Sequence, residues 1–506
     1  MSTQQFFFGR TYRTTLLLVL LAELASFFVY WFKFNVDLSL IFFIIIISLL
    51  FAASIKNLKY GLYVALAELF VGSQGHLFEI KLGDYELSIR IGIFLAVMFV
   101  WLIQLLRRKQ YLKLWQELKQ YPWLIALAVV CLWGIIFAFW RGNSLTSIFL
   151  DFNAWIYFLY LLPLLTVFRK EDLPNVLQVF AAGLTALALK TLLFLYVFSH
   201  KFSFSLDFYK WGRDTLWGEF AIINENFYRI FSQGQVFILI GVFVFLSYVF
   251  FAPNLKLKNI FTNRVVYLLT ILLLTVVISL SRSFWLALIL TSLVFLFLFL
   301  KQNYKQLHVL FFGTLFAAVI ALTVFSGIIY FPWPKISGQF DPSSLLDDRL
   351  SLSGAGISSR WSQLPNLTNA IIKHPIIGSG WGTTVTYQST DPRILTVNNP
   401  TGLYNTYAFE WGYLDIILKI GLLGLIVYLL FIWSIIKNYW QLWKKNTDRD
   451  ERALIIGLML GLLSLLITHG FSPYLNHPLG IGYVLLVLLI AKLINQEKNQ
   501  RISDGH

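Results

Sequence analysis

Charge is scarce in this chain and cysteine almost absent, and each shortage closes off a class of protein. Only 13% of the residues are Asp, Glu, Lys or Arg, while 58% are hydrophobic and 18% aromatic, with a mean hydropathy of +0.71. No soluble core could absorb that much apolar surface, so the chain reads as a polytopic membrane protein. The single cysteine, Cys131, sits in an apolar run, which excludes an internal disulfide and a cysteine-cluster metal site. A Walker lysine loop, a dinucleotide fingerprint, a nucleophile elbow and an HExxH pair are also missing, and acidic pairs able to hold a divalent metal are few. Neither a cofactor nor a metal is therefore expected. Internal repeats and inverted-repeat symmetry are not evident, which weighs against a secondary transporter. The net charge of +15 does not point to nucleic acid, because the bases are scattered through short loops between apolar segments.

What is present is a series of apolar runs. Segments of adequate length fall near 14–32, 38–55, 60–74, 91–106, 123–140, 150–168, 174–198, 230–251, 265–281, 284–300, 307–326, 410–435, 453–469 and 479–493. The expected fold is an all-α polytopic membrane protein with about 14 (12–14) transmembrane helices and one large ordered loop. It divides into helices 1–326 with an outer loop at 199–229, the large loop at 327–409, and C-terminal helices and tail at 410–506. The first run lacks a small-residue cleavage site and reads as a retained span. With both termini cytoplasmic, alternate loops collect Arg107 to Lys119, Arg169 and Lys170, Lys256 to Arg264 and Lys437 to Arg452 on the inside. Lys33, Lys81, Arg90 and Arg141 are exceptions.

The same assignment puts 199–229, a turn at Ser281, 327–409 and 470–478 outside. In 199–229, Trp211, Trp217, Phe220 and Phe227 alternate with Arg213, Asp214, Glu225 and Arg229, as in a re-entrant or interfacial segment. The large loop opens on Pro332, Trp333 and Pro334 and passes Asp347, Asp348 and Arg349. It continues through a helical stretch from Arg360 to His374 and Pro375, then a turn at Gly378, Gly380 and Gly382. It carries no strong strand pattern. Its Trp333, Trp361, Trp381 and Tyr387 could supply aromatic platforms. Gly421 and Gly424 in the following segment share a helix face suited to close packing.

Arg282 is the only cation at the junction of two strongly apolar segments. It reads either as a snorkelling arginine or as a phosphate ligand, with Ser281 and Ser283 adding hydroxyls where a helix start favours anions. Arg229, placed at the start of the apolar segment 230–251 with Ser232 and Gln233 one turn on, is its expected partner in a diphosphate clamp. Glu410 is either an acid stabilising a helix N-terminus or a group that takes a proton from an attacking hydroxyl. Asp415, deeper in the span, has Lys419 at i+4 and reads as a salt bridge. Lys190 and Glu68 lie within spans and require a partner or a water-filled cavity. His374, His469 and His477 are too scattered for a metal site.

Three segments together resemble the O-antigen ligase and polymerase family of bacterial membrane glycosyltransferases. Ser281-Arg282-Ser283 followed by Phe284-Trp285-Leu286 resembles the family's serine-arginine junction. Arg360-Trp361 through HPIIGSGWG (374–382) resembles part of its large periplasmic loop, and EWGYLDIILKIGLLG (410–424) its signature helix. Where the ligases usually carry histidine followed by asparagine or serine, this chain has Glu410 and Trp411. That change favours an O-antigen or exopolysaccharide polymerase over a ligase. The resemblance implies an inner-membrane enzyme that transfers glycan, without a metal and with inversion, from undecaprenyl diphosphate to a glycan or lipid A core acceptor, with a chain-length regulator as a possible partner. It implies Glu410 and Arg282 as catalytic residues, and Arg282, Arg229, Arg360, Ser281 and Ser283 as donor diphosphate ligands. His374, Trp381, Tyr407 and His469 are then candidates for the acceptor site or the cap. The alternatives are a transporter or flippase of an anionic or lipid-linked substrate and a protein-glycosylating member of the family.

Overall fold

The computed structural model describes residues 6–32, 37–83, 85–224, 227–251, 262–334, 355–389, 394–396 and 399–503. Glu225, Asp347, Asp348 and Arg349, noted above, lie outside the described residues. The chain runs through α1 (Arg10–Phe32), α2 (Leu38–Lys56), α3 (Leu58–Val71), β1 (Glu79–Leu82), β2 (Tyr85–Ser88), α4 (Ile89–Arg107), α5 (Tyr111–Leu118), α6 (Pro122–Trp140) and α7 (Leu145–Ile156). It continues with α8 (Leu161–Val167), α9 (Leu173–Ser199), α10 (Ser205–Asp214), β3 (Glu219–Asn224), β4 (Phe227–Phe231), α11 (Gln235–Phe251), α12 (Arg264–Ile278), α13 (Arg282–Asn303) and α14 (Leu307–Tyr330). It ends with α15 (Ala355–Lys373), β5 (Val385–Gln388), β6 (Leu403–Thr406), α16 (Gly412–Lys445), α17 (Arg449–His469) and α18 (Pro478–Ser503).

Among the described residues, ten helical stretches are long and apolar enough to cross a membrane, so this is a multi-pass membrane protein. The fourteen expected segments all fall on helices, but not all reach spanning length. Leu58–Val71 has 14 residues, Gln235–Phe251 has 17 and Arg264–Ile278 has 15. Arg282–Tyr330 is one apolar stretch divided by a 3-10 turn at Tyr304–Gln306.

Helix ends follow local chemistry. The Asp37 carboxylate accepts the amide of Leu40 at 3.1 Å, and Asn57 ends α2 and accepts the Lys59 amide at 3.1 Å. Asp448 accepts the Asp450 and Glu451 amides at 2.8 and 3.3 Å.

The spans divide into an inner and a lipid-facing set. In α17 and α18, 72% and 83% of the spanning window is buried within the protein, against 6% in α1. Buried charges inside this bundle are paired, as the cost of isolating them demands. Lys190 meets Glu23 at 2.6 Å and lies 4.6 Å from the ring centroids of Trp211 and Trp217. Glu68 takes a two-pronged grip from Arg90, at 2.9 and 3.0 Å.

Among the described residues, three two-stranded antiparallel hairpins, β1–β2, β3–β4 and β5–β6, lie in connections between helices. The expected interfacial segment at 199–229 is a short helix, α10, followed by most of the β3–β4 hairpin. The large loop, read without strands, contains β5–β6. Its strands are four residues each, too short to register as alternation, although Val385 and Tyr387 point inward and Thr386 and Gln388 outward.

Candidate functional site

Arg229 is brought to the site by a strand, not by a helix start as expected: the five residues Phe227–Phe231 pair with β3, with Ala221 opposite Arg229, and α11 begins only at Gln235. The run of aromatics in this stretch favours a strand over extending the helix backward. The Arg229 guanidinium donates through Nε to the carbonyl of Ser279 at 3.1 Å and lies over the Phe231 ring at 5.0 Å. Ser279 belongs to the turn between α12 and α13, which closes with Leu280 in the left-handed region (φ 47°) and delivers Arg282 as the first residue of α13. Ser281 and Ser283 stand on either side with hydroxyls 3.1 Å apart, and Ser283 lies 3.4 Å from Ser472 in the loop after α17. Phe284 bridges Phe231 and Tyr474, with ring centroids 5.8 and 6.1 Å away.

Arg360, on α15, completes the basic set. Its Nε donates to the Glu410 carboxylate, and its main-chain carbonyl accepts the Trp411 indole at 3.0 Å. Trp361 meets Trp411 edge to face at 5.5 Å, and Trp411 leads on to Phe471 at 5.9 Å. Burial, then repulsion from Arg282, holds the Arg360 guanidinium below its ordinary pKa, while Glu219 acts in the opposite sense. Arg282 and Glu219 are therefore near enough to Arg360 to act on its charge. Arg229 from β4, Arg282 from α13, Arg360 from α15 and Glu410 from the connection just before α16 converge at the starts of α13 and α16. Glu410 and Arg360 remain about half and one-third exposed, so solvent reaches the pair.

The glycine turn does something else: it plugs the cap into the helices. Gly378, Gly380 and Gly382 have φ of 76°, 87° and 72°, and a Cβ at each would stand 2.4–2.5 Å from backbone of Lys419, Ala138 and Ile148. The receiving gap is a break in α16 at Gly421, which has φ 73° and ψ 177°. Gly421 thus makes the close approach expected of it, against the Ile376 carbonyl, but by interrupting its helix and not from a continuous helix face. The freed backbone is satisfied across the break: Ser379 and Gly380 amides donate to the Leu418 and Lys419 carbonyls at 2.6 and 2.9 Å, and the Leu422 and Leu423 amides to Pro375 and Ile376 at 2.8 and 3.1 Å.

Trp381 is 1% exposed, donates to the Cys131 carbonyl at 2.9 Å and packs on Trp155 at 5.1 Å. It anchors the turn and offers no platform. Tyr387 is buried as well and accepts the Gln363 amide at 2.9 Å. Trp333 and Trp361 stay exposed.

Below the turn lies a buried ionic cluster. The Lys419 ammonium meets Asp415 at 2.8 Å and also Asp151; Asp415 accepts from Asn476, and Asp151 accepts the Gly382 amide at 2.7 Å. The i+4 salt bridge read from sequence is present, and Asp151 joins it from α7. Tyr407 lies within electrostatic range of the cluster. Its phenol is raised above the ordinary pKa by burial and then by Asp151.

The histidines lie apart from the arginines' contacts. His374 stands edge to face with Phe137 at 6.4 Å, and partial burial and the cations Arg141 and Lys373 lower its pKa. His469 is fully buried, accepts the Leu475 amide through Nδ1 at 3.1 Å and packs on Tyr413 at 4.6 Å.

Glu219 and Tyr474 were not singled out in the sequence. Tyr474 is buried, which raises its phenol pKa, and it feels both Arg360 and Glu219. His76, just before the first hairpin, and Glu79 and Glu86 on it have ligand atoms within 4.8 Å of one another, and Lys81 stands 3.7 and 3.9 Å from the two carboxylates and offsets part of their charge.

Comparison with known proteins finds one relative and one family domain. A stretch of 261 residues is 28% identical to the ComP-specific O-oligosaccharyltransferase of Acinetobacter baylyi (strain ATCC 33305 / BD413 / ADP1), covering 50% of this chain and 42% of that protein. The chain thus matches less than half the length of this relative. Residues 267–429 match the O-antigen ligase family, an interval that opens inside α12, takes in the Arg282 turn, Arg360, Glu410 and the glycine plug, and ends within α16. Residues 267–429 thus carry an O-antigen ligase family domain.

Proposed function

We propose that the chain is a bacterial inner-membrane glycosyltransferase that moves a glycan from an undecaprenyl-diphosphate carrier to an acceptor hydroxyl on the periplasmic side, with both termini in the cytoplasm. The observation that carries this reading is the convergence of Arg229, Arg282 and Arg360, from three different elements, beside the Glu410 carboxylate. A departing diphosphate gains negative charge as its bond to the anomeric carbon lengthens. Guanidiniums fixed at a helix start and a hairpin stabilise that charge without having to reorganise.

In the proposed reaction the acceptor oxygen bonds to the anomeric carbon, the bond from that carbon to the diphosphate oxygen breaks, and the diphosphate leaves with the electron pair. The acceptor proton passes to Glu410. While Arg360 holds Glu410, the carboxylate is a weak base; a bound diphosphate competes for the same guanidinium, and release of Glu410 beside the incoming hydroxyl raises its basicity. Donor binding and base activation are thereby coupled through one arginine.

The acceptor we favour is a sugar hydroxyl, which makes the enzyme a polysaccharide polymerase first and an O-antigen ligase next. The relative in Acinetobacter baylyi supports a second reading, transfer to a protein hydroxyl. Reconstitution with lipid-linked oligosaccharide separates them. Growth of the lipid-linked glycan supports the polymerase, transfer to lipid A core the ligase, and a glycosylated protein the second reading. Movement of the lipid across the bilayer with no new glycosidic bond would replace the whole proposal with a flippase.

A further inference from the structure

A second concentration of cations lies away from the arginine site, among loops that connect other helix ends. The ends of α2 and α4 and the connection after α8 enclose a cavity of about 410 Å³. Lys56, Lys59, Arg108 and Arg169 line it against one carboxylate, Glu171. A smaller cavity of about 160 Å³ shares Arg108, Gln110, Thr166 and Arg169 with it and adds Lys113, Glu117 and Lys492.

Two of these cations are already neutralised. Lys59 meets Asp172 at 2.8 Å and Lys492 meets Glu117 at 2.7 Å. Among the described residues, no ion pair holds Lys56, Arg108, Lys113 or Arg169. Loop cations that serve only to orient a membrane protein can spread into solvent. These instead border a concave space that is mainly polar, with Asn57, Gln104, Gln110 and Thr166 in its lining, and that the apolar side chains Ile55, Leu58, Trp101, Leu105 and Val167 also reach. The Trp101 indole is turned inward and satisfied by the Thr166 hydroxyl at 3.0 Å, leaving its ring as part of that apolar edge. A mainly polar, cation-rich recess with apolar side chains at its edge, set at helix ends, matches a phosphate with hydrocarbon attached.

We propose that this cavity binds a phosphate-bearing anion, supplied by the head group of an anionic phospholipid. The leaflet rests on the orientation proposed above, which makes it the cytoplasmic one; binding itself does not depend on it.

The test uses the purified, delipidated full chain and native mass spectrometry, with phosphatidylglycerol, phosphatidylcholine or inorganic phosphate added. The site predicts retention of phosphatidylglycerol over phosphatidylcholine. It also predicts a loss of about fivefold in affinity for each cation removed in Lys56→Gln/Arg108→Gln/Arg169→Gln. Removing the same charge elsewhere, in Lys437→Gln/Lys444→Gln/Lys445→Gln, should leave retention unchanged. Competition by inorganic phosphate alone at equal concentration assigns the source to soluble phosphate, and its failure to compete assigns it to the lipid. Equal loss in the two triple variants, or retention that ignores head-group charge, overturns the proposal. Arg108→Gln, at an exposed side chain, keeps the test available if the first triple variant does not fold. Glycan transfer can fail in reconstitution while lipid retention holds, so the two proposals are separable.

Discussion

Replacing Lys419 with methionine keeps the length of the side chain and removes its charge, leaving Asp151 and Asp415 facing each other with no cation. Both carboxylates have side chains under one-tenth exposed, and the lysine is equally buried. Breaking a buried ion pair by removing one partner costs about 3–5 kcal/mol, and here one lysine serves two carboxylates, so the upper part of that range is expected. The damage should not stay local. Asp151 holds the Gly382 amide at 2.7 Å, and the Lys419 carbonyl receives the Gly380 amide at 2.9 Å, so the cluster also fixes the turn that seats the cap. Equilibrium unfolding in mixed micelles should therefore show a large loss for Lys419→Met, with protease cleavage between Lys373 and Gly402 appearing before global unfolding. Lys419→Met/Asp151→Asn/Asp415→Asn removes the two orphaned charges and should recover more than half of the loss. Unchanged stability in Lys419→Met would refute the reading of this cluster as the fastening of the cap.

Gly380→Ala combines a φ of 87° with a Cβ placed 2.5 Å from the Ala138 nitrogen, so it should cost about 3 kcal/mol or more and release the cap, as read by the same proteolysis. Arg282→Lys should lose glycan transfer nearly as fully as Arg282→Ala, because an ammonium cannot reproduce a two-pronged grip on phosphate; normal transfer by a stably inserted Arg282→Ala removes this arginine from the site. In a Cys131→Ala background, cysteine at Thr401 should react with an impermeant maleimide added outside cells and cysteine at Ser503 should not, the reverse result inverting the orientation.

The spans were the most legible part of the chain because an apolar run of 18 or more residues has few other solutions. Helices without spanning length were legible too, as apolar segments, but their ends were not. The start expected at 230 moved to Gln235 because a hairpin claims Phe227–Phe231, and a five-residue strand cannot outvote the long apolar run it adjoins. Gly421 was read rightly as a place of close approach, since a Cβ there would run into the Ile376 carbonyl, but not as a break in the helix. Glycines spaced along an apolar helix ordinarily permit close approach. Only the opposing segment, contributed by residues 375–383 far along the loop, turns that position into a break, and no local pattern encodes what arrives from elsewhere. The pairing of Lys190 with Glu23, and of Glu68 with Arg90, was foreseeable as a need but not as a partner, since both depend on which helices meet.

The site was legible where chemistry sits on the residues themselves and not where it depends on a third element. Arg282 and Glu410 could be picked out as polar groups at apolar boundaries, and Arg360 through the family resemblance, but their relation could not. Arg360 meets Glu410 because Trp411, the residue after Glu410, donates to the Arg360 carbonyl and packs edge to face with Trp361. The Glu410-Trp411 pair, which departs from the residues the ligases usually carry, therefore brings its own support: the indole latches α15 and the carboxylate engages the arginine that α15 presents. A prediction follows that distinguishes a base from a latch. Glu410→Gln keeps shape and hydrogen bonding but cannot take a proton, and should reduce the transfer rate across the pH range while donor binding holds or tightens, because Arg360 no longer has a competing carboxylate. Glu410→His should retain part of the activity, with its dependence on pH moved toward the titration of imidazole. Trp411→Ala should act differently, weakening donor binding through a displaced Arg360 and leaving the shape of the pH profile intact. If Glu410→Gln transfers glycan at the parental rate, Glu410 serves the latch alone, and the base must be sought nearby, with Glu219 first because it already acts on the charge of Arg360.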